Sequence, residues 1–328
     1  MEKITTTHHK EIMKKKRNVP IVTVTYQLDK WTMLLQAHSI EKFVTNPTTH
    51  YVVLSDRDLT PASILEWHCI LQPIYKKHRL VLLHKYNAVD MFPEIRVHGQ
   101  YMQGWDLQQF IKLKIHQLIT DEYYLTLDSK NIFVLPTNLV KTFWGIEGTS
   151  TIIYQDTKDP DIYHHPSMRY WLPFMQLLEK RFLLTNDRPK SLWFAGTPFC
   201  LETATVQRMF DYDIEALFAE CMQIIDDIGD DESRFIDKPM ISEYVLYSYF
   251  TKKERIETQW AFGLQEGNDP ISVYEDIVAK DEIPTFTLFR HESSDIDTKI
   301  KLINFFLRAG LESSYVTPAV MLNRNLGD

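Results

Sequence analysis

The chain holds only three cysteines, Cys69, Cys200 and Cys221, an odd number spread over 328 residues. That count excludes a disulfide framework and a cysteine-rich zinc site, and it fits a reducing, cytoplasmic setting. No apolar run approaches the roughly 20 residues that a membrane-crossing helix needs. No glycosylation sequon is present, because Asn46 is followed by Pro47. Positive charge is in deficit, with a formal net charge of −8. This argues against nucleic acid as a partner, since such binding rests on phosphate neutralisation by Lys and Arg. Also missing are Gly-x-Gly-x-x-Gly, a Walker lysine loop, a Gly-x-Ser-x-Gly elbow and His-Glu-x-x-His. Dehydrogenase, P-loop NTPase, α/β-hydrolase and zincin readings therefore lose their usual support.

What is there is ordinary globular material: 44% hydrophobic and 24% charged residues, enough length to bury a substantial core. The one basic cluster is Lys10, Lys14, Lys15, Lys16 and Arg17. It reads as part of a flexible basic tail over residues 1–19, solvated or touching an anionic membrane surface. The few apolar residues before Gln27 and Asp29 do not make a signal peptide.

The β-branched run Ile21 to Tyr26 predicts a first strand, and Asp29 an N-cap for a helix through Phe43. Tyr51–Leu54 and Leu80–Leu83 predict further buried strands, with a helix after Pro61 between them. Residues 86–104 show no sustained period and read as a long loop. Leu107, Ile111, Ile115 and Leu118 stripe a helix from Leu107 to Ile119, with Gln108, Lys112 and His116 on another face. Strands at 123–127 and 132–135 flank a turn. Beyond it, 166–184, 201–209, 213–228, 238–250 and 296–309 read as helices, the last ended by Gly310. Shorter strands are expected near Ile152-Ile153, 192–194 and 286–289. Alternation of this kind predicts an α/β fold: a mixed, mostly parallel central sheet of about six to eight strands flanked by helices, with a helical C-terminal portion. Residues 20–328 read as one domain, with halves at about 20–136 and 137–310.

The turn Asp128-Ser129-Lys130 carries the chemistry. In open α/β sheets ligands bind outside the carboxyl ends of the strands, and Asp128 sits at such an end. Carboxylates there can hold Mg²⁺ or Mn²⁺ to neutralise a diphosphate, although Asp, Ser and Asn also suit a plain polar turn. Glu243 is the foremost candidate for a base that takes a proton from a hydroxyl, with Asp156 and Glu202 behind it. His164 and His165 read as loop residues lining a cleft.

The run Gly104-Trp105-x-x-Gln108-Gln109-x-x-Lys112-Leu113, then Tyr123-Tyr124-Leu125-x-Leu127-Asp128-Ser129, resembles the DUF6492 family of glycosyltransferase-like proteins. Ser242-Glu243-Tyr244-x-x-Tyr247 matches a second signature of that family. The resemblance spans about residues 20 to 290. It implies a GT-A-like (nucleotide-diphospho-sugar transferase) fold and a glycosyltransferase that moves a sugar from a nucleotide-diphosphate sugar to an acceptor hydroxyl. A glycan or lipid-linked acceptor in surface polysaccharide synthesis follows from the same resemblance. The donor base would lie near Thr25, Tyr26 and Asp56, and Asp128, Ser129 and Lys130 would face the diphosphate, with Gln108 and Lys112 on the preceding helix. His164, His165 and Tyr244 would line the acceptor cleft. Asp128 and His291 would be the ligands of any Mn²⁺ or Mg²⁺.

One position departs from the family pattern: Lys130 stands where a second aspartate is usual. An ammonium cannot ligate a cation, but it can itself neutralise phosphate charge. Either a lysine has replaced the metal, or the donor site has decayed into a non-catalytic carbohydrate- or nucleotide-binding protein on the same fold.

Overall fold

The computed structural model describes residues 17–56, 59–84, 96–97, 100–101, 104–145, 148–149, 171–182, 197–228, 239, 241–251, 261–262, 285–287 and 296–322. Three parallel strands open the chain: β1 (Ile21–Thr25), β2 (Thr49–Leu54) and β3 (Arg79–His84). Helices α1 (Lys30–Phe43) and α2 (Pro61–Leu71) connect them. All five residues of β1 are buried, as a central parallel strand covered on both faces requires; its Val, Ile and Thr suit that pleat. Pro61 opens α2, and the Thr60 side chain accepts from Ser63 N.

The sheet runs outward from β1 to β2 and β3, then the chain returns to the other side of β1. After a minor hairpin, β4 (Arg96–Val97) and β5 (Gln100–Tyr101), and helix α3 (Gly104–Lys114), strand β6 (Tyr123–Asp128) pairs in parallel with β1. β7 (Asn131–Phe133) follows the turn, then α4 (Leu139–Phe143) and β8 (Gly148–Thr149). Past α5 (Leu172–Phe182), strand β9 (Phe199–Glu202) pairs antiparallel with β6 and β8. The resulting six-stranded order is β3-β2-β1-β6-β9-β8, mixed and mostly parallel as expected. A smaller sheet joins β7 to β11 (Thr285–Thr287) and β10 (Ala261–Phe262). The order reverses between β1 and β6, the kind of switch point that opens a crevice at the strand ends.

Alternation along the strands feeds two separate cores. Ile21, Val52, Leu54, Leu125 and Leu127 face one core, with α1, α2 and the two C-terminal helices Ile296–Arg308 and Ser313–Met321. Val22, Val24, Val53, Tyr124, Phe199 and Leu201 face the other. That second face is covered by α3, α5, α6 (Thr203–Phe210), α7 (Ile214–Ile228) and α8 (Glu243–Phe250). Gly310 ends its helix at φ 83°, as expected for a residue free to be left-handed.

Several sequence readings shift. Residues 201 and 202 finish a strand rather than open a helix, because Phe199–Glu202 alternates between the two cores and the helix begins at Thr203. The loop expected over 86–104 contains a small hairpin. The helix from Leu107 starts at Gly104 and tightens into a 3₁₀ turn at Ile115–Leu118. Asp29 occupies the N-cap position of α1 without a side-chain capping bond. The strands expected near 152–153 and 192–194 lie outside the described residues. Among those described, no helix is long and apolar enough to cross a membrane.

A buried polar chain ties this scaffold to the turn after β6. Tyr75 OH lies 2.6 Å from His50 Nδ1, and His50 Nε2 lies 2.9 Å from Thr23 Oγ1. Thr23 donates to Gln36 Oε1 (2.8 Å), and Gln36 Nε2 donates to the carbonyls of Asp128 (2.6 Å) and Asn131 (2.9 Å). Gln36 is fully buried on α1, so its amide is the clamp on the turn. Gln36→Leu should cost about 2–3 kcal/mol in urea denaturation, since it strands buried acceptors.

Burial lowers His50 to about 3, with His78 adding a smaller push. A group whose folded pKa is depressed contributes stability above its unfolded value and loses it as pH falls toward the folded one. Stability should therefore decline as pH drops below about 6.5. His50→Gln should remove up to one proton of that slope, about 1.4 kcal/mol per pH unit, read from denaturation midpoints at stepped pH.

Candidate functional site

The carboxyl ends of β1, β2 and β6 meet at the switch point. Ser55 ties β2 to β1 by donating N and Oγ to Thr25 O, at 2.8 and 3.1 Å. Gln27 N donates to both oxygens of Asp56, each at 3.0 Å, and Trp67 Nε1 donates to Gln27 Oε1 at 2.8 Å. Across the crevice, Ser129 Oγ donates to Asp29 Oδ2 at 2.7 Å. Asp29 thus fastens the β1 end to the β6 turn instead of capping its helix. Thr25 is buried, and its hydroxyl has no hydrogen-bond partner among the described residues. Tyr26 and Asp56 are partly exposed.

Asp128 is the last residue of β6, as the sequence predicts. Asn131 shapes its turn: Oδ1 accepts from Asp128 N at 2.8 Å, and Nδ2 donates to Thr197 O at 3.1 Å. Ser129 is buried, while Lys130 is partly exposed. Below the turn lies a feature that no short motif discloses. Lys112, fully buried near the end of α3, donates from Nζ to Asp128 Oδ1 (2.9 Å), Glu243 Oε1 (3.1 Å) and Tyr244 OH (3.4 Å). Asp128 keeps 25% of its side-chain surface exposed, whereas Glu243 keeps 0%.

Burial works against every charge here, and the neighbours decide the outcome. Burial alone would lower the Lys112 ammonium, but Asp128 and then Glu243 outweigh it and hold its pKa above the ordinary lysine value. Burial would raise the Asp128 carboxyl; Lys112 first and Lys130 second pull it below its usual range. Glu243 goes the other way: burial dominates, Lys112 offsets only part of it, and Asp128 adds to the rise. Its Oε2 is buried with no hydrogen-bond partner among the described residues.

The second sequence signature is accounted for residue by residue. Ser242 caps α8 by accepting from Val245 N at 3.2 Å. Glu243 holds Lys112, and Tyr244 stacks on Phe199 with ring centroids 4.5 Å apart. Tyr247 OH accepts from Glu202 N at 3.0 Å.

Two expectations change as a result. Tyr244 is 2% exposed and belongs to the core wall, not to an open acceptor cleft. Glu243 presents no surface to an acceptor hydroxyl, because the helix that starts with it turns its carboxylate inward onto Lys112. Gln108 lies one turn before Lys112 and is partly exposed, while His116 is buried against Leu113 O and Phe210. Glu202 accepts from Thr205 Oγ1 at the far end of β9, away from Asp128. His164, His165, Asp156 and His291 lie outside the described residues.

The place between the two carboxylates is filled by an ammonium, and no cluster of three His, Cys, Asp or Glu side chains able to hold a metal forms among the described residues.

No curated protein sequence matches the chain. Among solved structures, it is similar to the bifunctional glycosyltransferase WbbM in its apo form, with TM-score 0.44 and 12% identity over 84% of this chain and 46% of that one. The chain thus spans less than half the length of WbbM. It is also similar to the galactosyltransferase LgtC, in complex with donor and acceptor sugar analogues, with TM-score 0.45, 9% identity and coverage of 90% and 96%. The apo-form glycosyltransferase GlyE of Streptococcus pneumoniae TIGR4 gives TM-score 0.44, 9% identity and coverage of 92% and 62%. Residues 23–263 match a family model described as a family of unknown function, DUF6492. These residues hold the last three residues of β1, Lys112, the Asp128 turn and the Ser242–Tyr247 signature, and the chain belongs to that family.

Proposed function

We propose that the protein is a glycosyltransferase that moves a sugar from a nucleotide-diphosphate sugar to the hydroxyl of a glycan or lipid-linked acceptor. The observation that supports this best is the gathering of Thr25, Tyr26, Asp56, Asp128, Ser129 and Lys130 at the carboxyl ends of β1, β2 and β6, where α/β sheets hold nucleotides. In this reading the base and ribose lie near Thr25, Tyr26 and Asp56. Lys130 faces the diphosphate and neutralises its charge in place of a metal, and Gln108 and Ser129 supply polar contacts. Glu243 acts as a positioning residue: it fixes Lys112, which fixes Asp128. The acceptor's base then comes from elsewhere, or the reaction is retaining. Surface polysaccharide assembly, a cytoplasmic location and peripheral membrane contact through the basic N-terminal residues belong to the same proposal.

A second reading is favoured by the burial of Glu243, which leaves Asp128 as the one carboxylate of the cluster with exposed surface. In it the protein binds a nucleotide or carbohydrate without catalysis. Hydrolysis separates the two, because a transferase leaks some donor sugar to water and a binding module does not.

The test begins with thermal melts against a panel of nucleotide sugars, with and without Mn²⁺ or EDTA, since a ligand that binds the native state raises the melting temperature. Stabilisation by one donor, retained in EDTA, is the expected result. Lys130→Ala should then weaken that donor by about 1.5–3 kcal/mol, the range of a charge-assisted hydrogen bond. Donor binding that vanishes with EDTA and ignores Lys130→Ala would assign the diphosphate to a metal held by other residues. Glu243→Gln should keep donor binding and spare most turnover; a loss of roughly 10²–10⁴ in rate with binding intact would restore it as the base.

A further inference from the structure

We propose that Asp128 and Glu243 form a two-carboxylate cation site whose resident cation is the ε-ammonium of Lys112, occupying the place that a divalent metal would take were the site open. Three observations carry this. A single nitrogen lies 2.9 Å from Asp128 Oδ1 and 3.1 Å from Glu243 Oε1, so both oxygens already converge on one point. Divalent cations hold carboxylate oxygens at roughly 2.0–2.6 Å, so the two carboxylates would have to close by about 0.3–1.1 Å to convert the ammonium geometry to a metal's.

Second, Glu243 Oε2 is fully buried and has no hydrogen-bond partner among the described residues. An ammonium reaches the other oxygen of this carboxylate, whereas a metal can take both at once. The leftover acceptor thus marks a site whose shape exceeds what its occupant uses. Third, the occupant is sealed. Lys112 is fully buried and lies against the Tyr244 ring, Nζ 5.6 Å from the centroid. It is therefore neither a nucleophile for a substrate nor an exposed phosphate ligand, and neutralising the two carboxylates is the task its position leaves it. The inference goes beyond the transferase reading and holds whether or not the chain transfers sugar, because it concerns the carboxylate pair alone.

The experiment uses the full chain and Mn²⁺ as the only probe. Free Mn²⁺ is followed by electron paramagnetic resonance, and melting temperature is followed alongside. Wild type should leave Mn²⁺ free. Lys112→Ala should take up one equivalent and melt higher with Mn²⁺ than without. Adding Glu243→Gln should weaken uptake by roughly ten-fold or more, and n-propylammonium, the severed part of the side chain in soluble form, should compete with the metal. Should Lys112→Ala fail to fold in metal-free buffer, refolding with Mn²⁺ or with n-propylammonium replaces the titration, and recovery by either one supports the site. Stoichiometric Mn²⁺ uptake by wild type that is lost in Asp128→Asn would overturn the proposal. So would a folded Lys112→Ala protein that ignores both cations, or one that neither cation restores.

Discussion

The structure turns on one buried ammonium. Removing an ion from water costs several kcal/mol even after relaxation, so Lys112 is tolerated only because Asp128 and Glu243 both reach it. Of the two carboxylates Glu243 carries the heavier burden, being fully buried while Asp128 keeps 25% of its side chain exposed, and each depends on the lysine in turn. The consequence is mutual dependence among three elements: α3 brings the cation, β6 one carboxylate and α8 the other. Displacing any one leaves an uncompensated charge in the core, which is far more costly than losing the pair together. The arrangement acts as a lock on the register of two helices against the central sheet, and it sits directly beneath the turn proposed to face the donor.

A second constraint works through the backbone. The Asp128–Asn131 turn is held from inside by Gln36, whose amide donates to two carbonyls, and from its own far side by the Asn131 side chain. Above it, Ser129 and Asp29 join the turn to the end of β1. The crevice between β1 and β6 is therefore a framed opening. Its floor is ionic, its flank is a buried amide, and its rim is a hydroxyl–carboxylate bond.

Much of the architecture was legible in the sequence. Buried strands announced themselves through β-branched runs such as Ile21–Thr25, and Pro61 and Gly310 marked helix ends through backbone geometry that few other residues favour. Strand β9 was misread because a four-residue strand leading directly into a helix shares its apolar positions with the helix that follows. At the site, Asp128 was placed correctly at a strand end by counting along an apolar run. Burial was not legible. Glu243 read as a base open to an acceptor hydroxyl and Tyr244 as lining the acceptor cleft, since nothing local reveals that α8 presents its first turn to a lysine 131 residues earlier. Gln36 was hidden for a related reason: a lone amide on an apolar helix face looks like a break in the pattern until the carbonyls it serves are known. Asp29 looked like a cap because capping is what an aspartate before a helix usually does.

The sequence distances within the lysine cluster carry a consequence for synthesis. Lys112 and Asp128 are 16 residues apart and leave the ribosome nearly together, whereas Glu243 trails Lys112 by 131 residues. At about 5–20 residues per second, the nascent chain holds the first half of this cluster for on the order of ten seconds before the second half exists. During that interval the ammonium has only the Asp128 carboxylate of the two to pair with, and the helix that later seals them is absent. The sheet can assemble around β1 and β6 in that time, but the site closes only after Glu243 has been made.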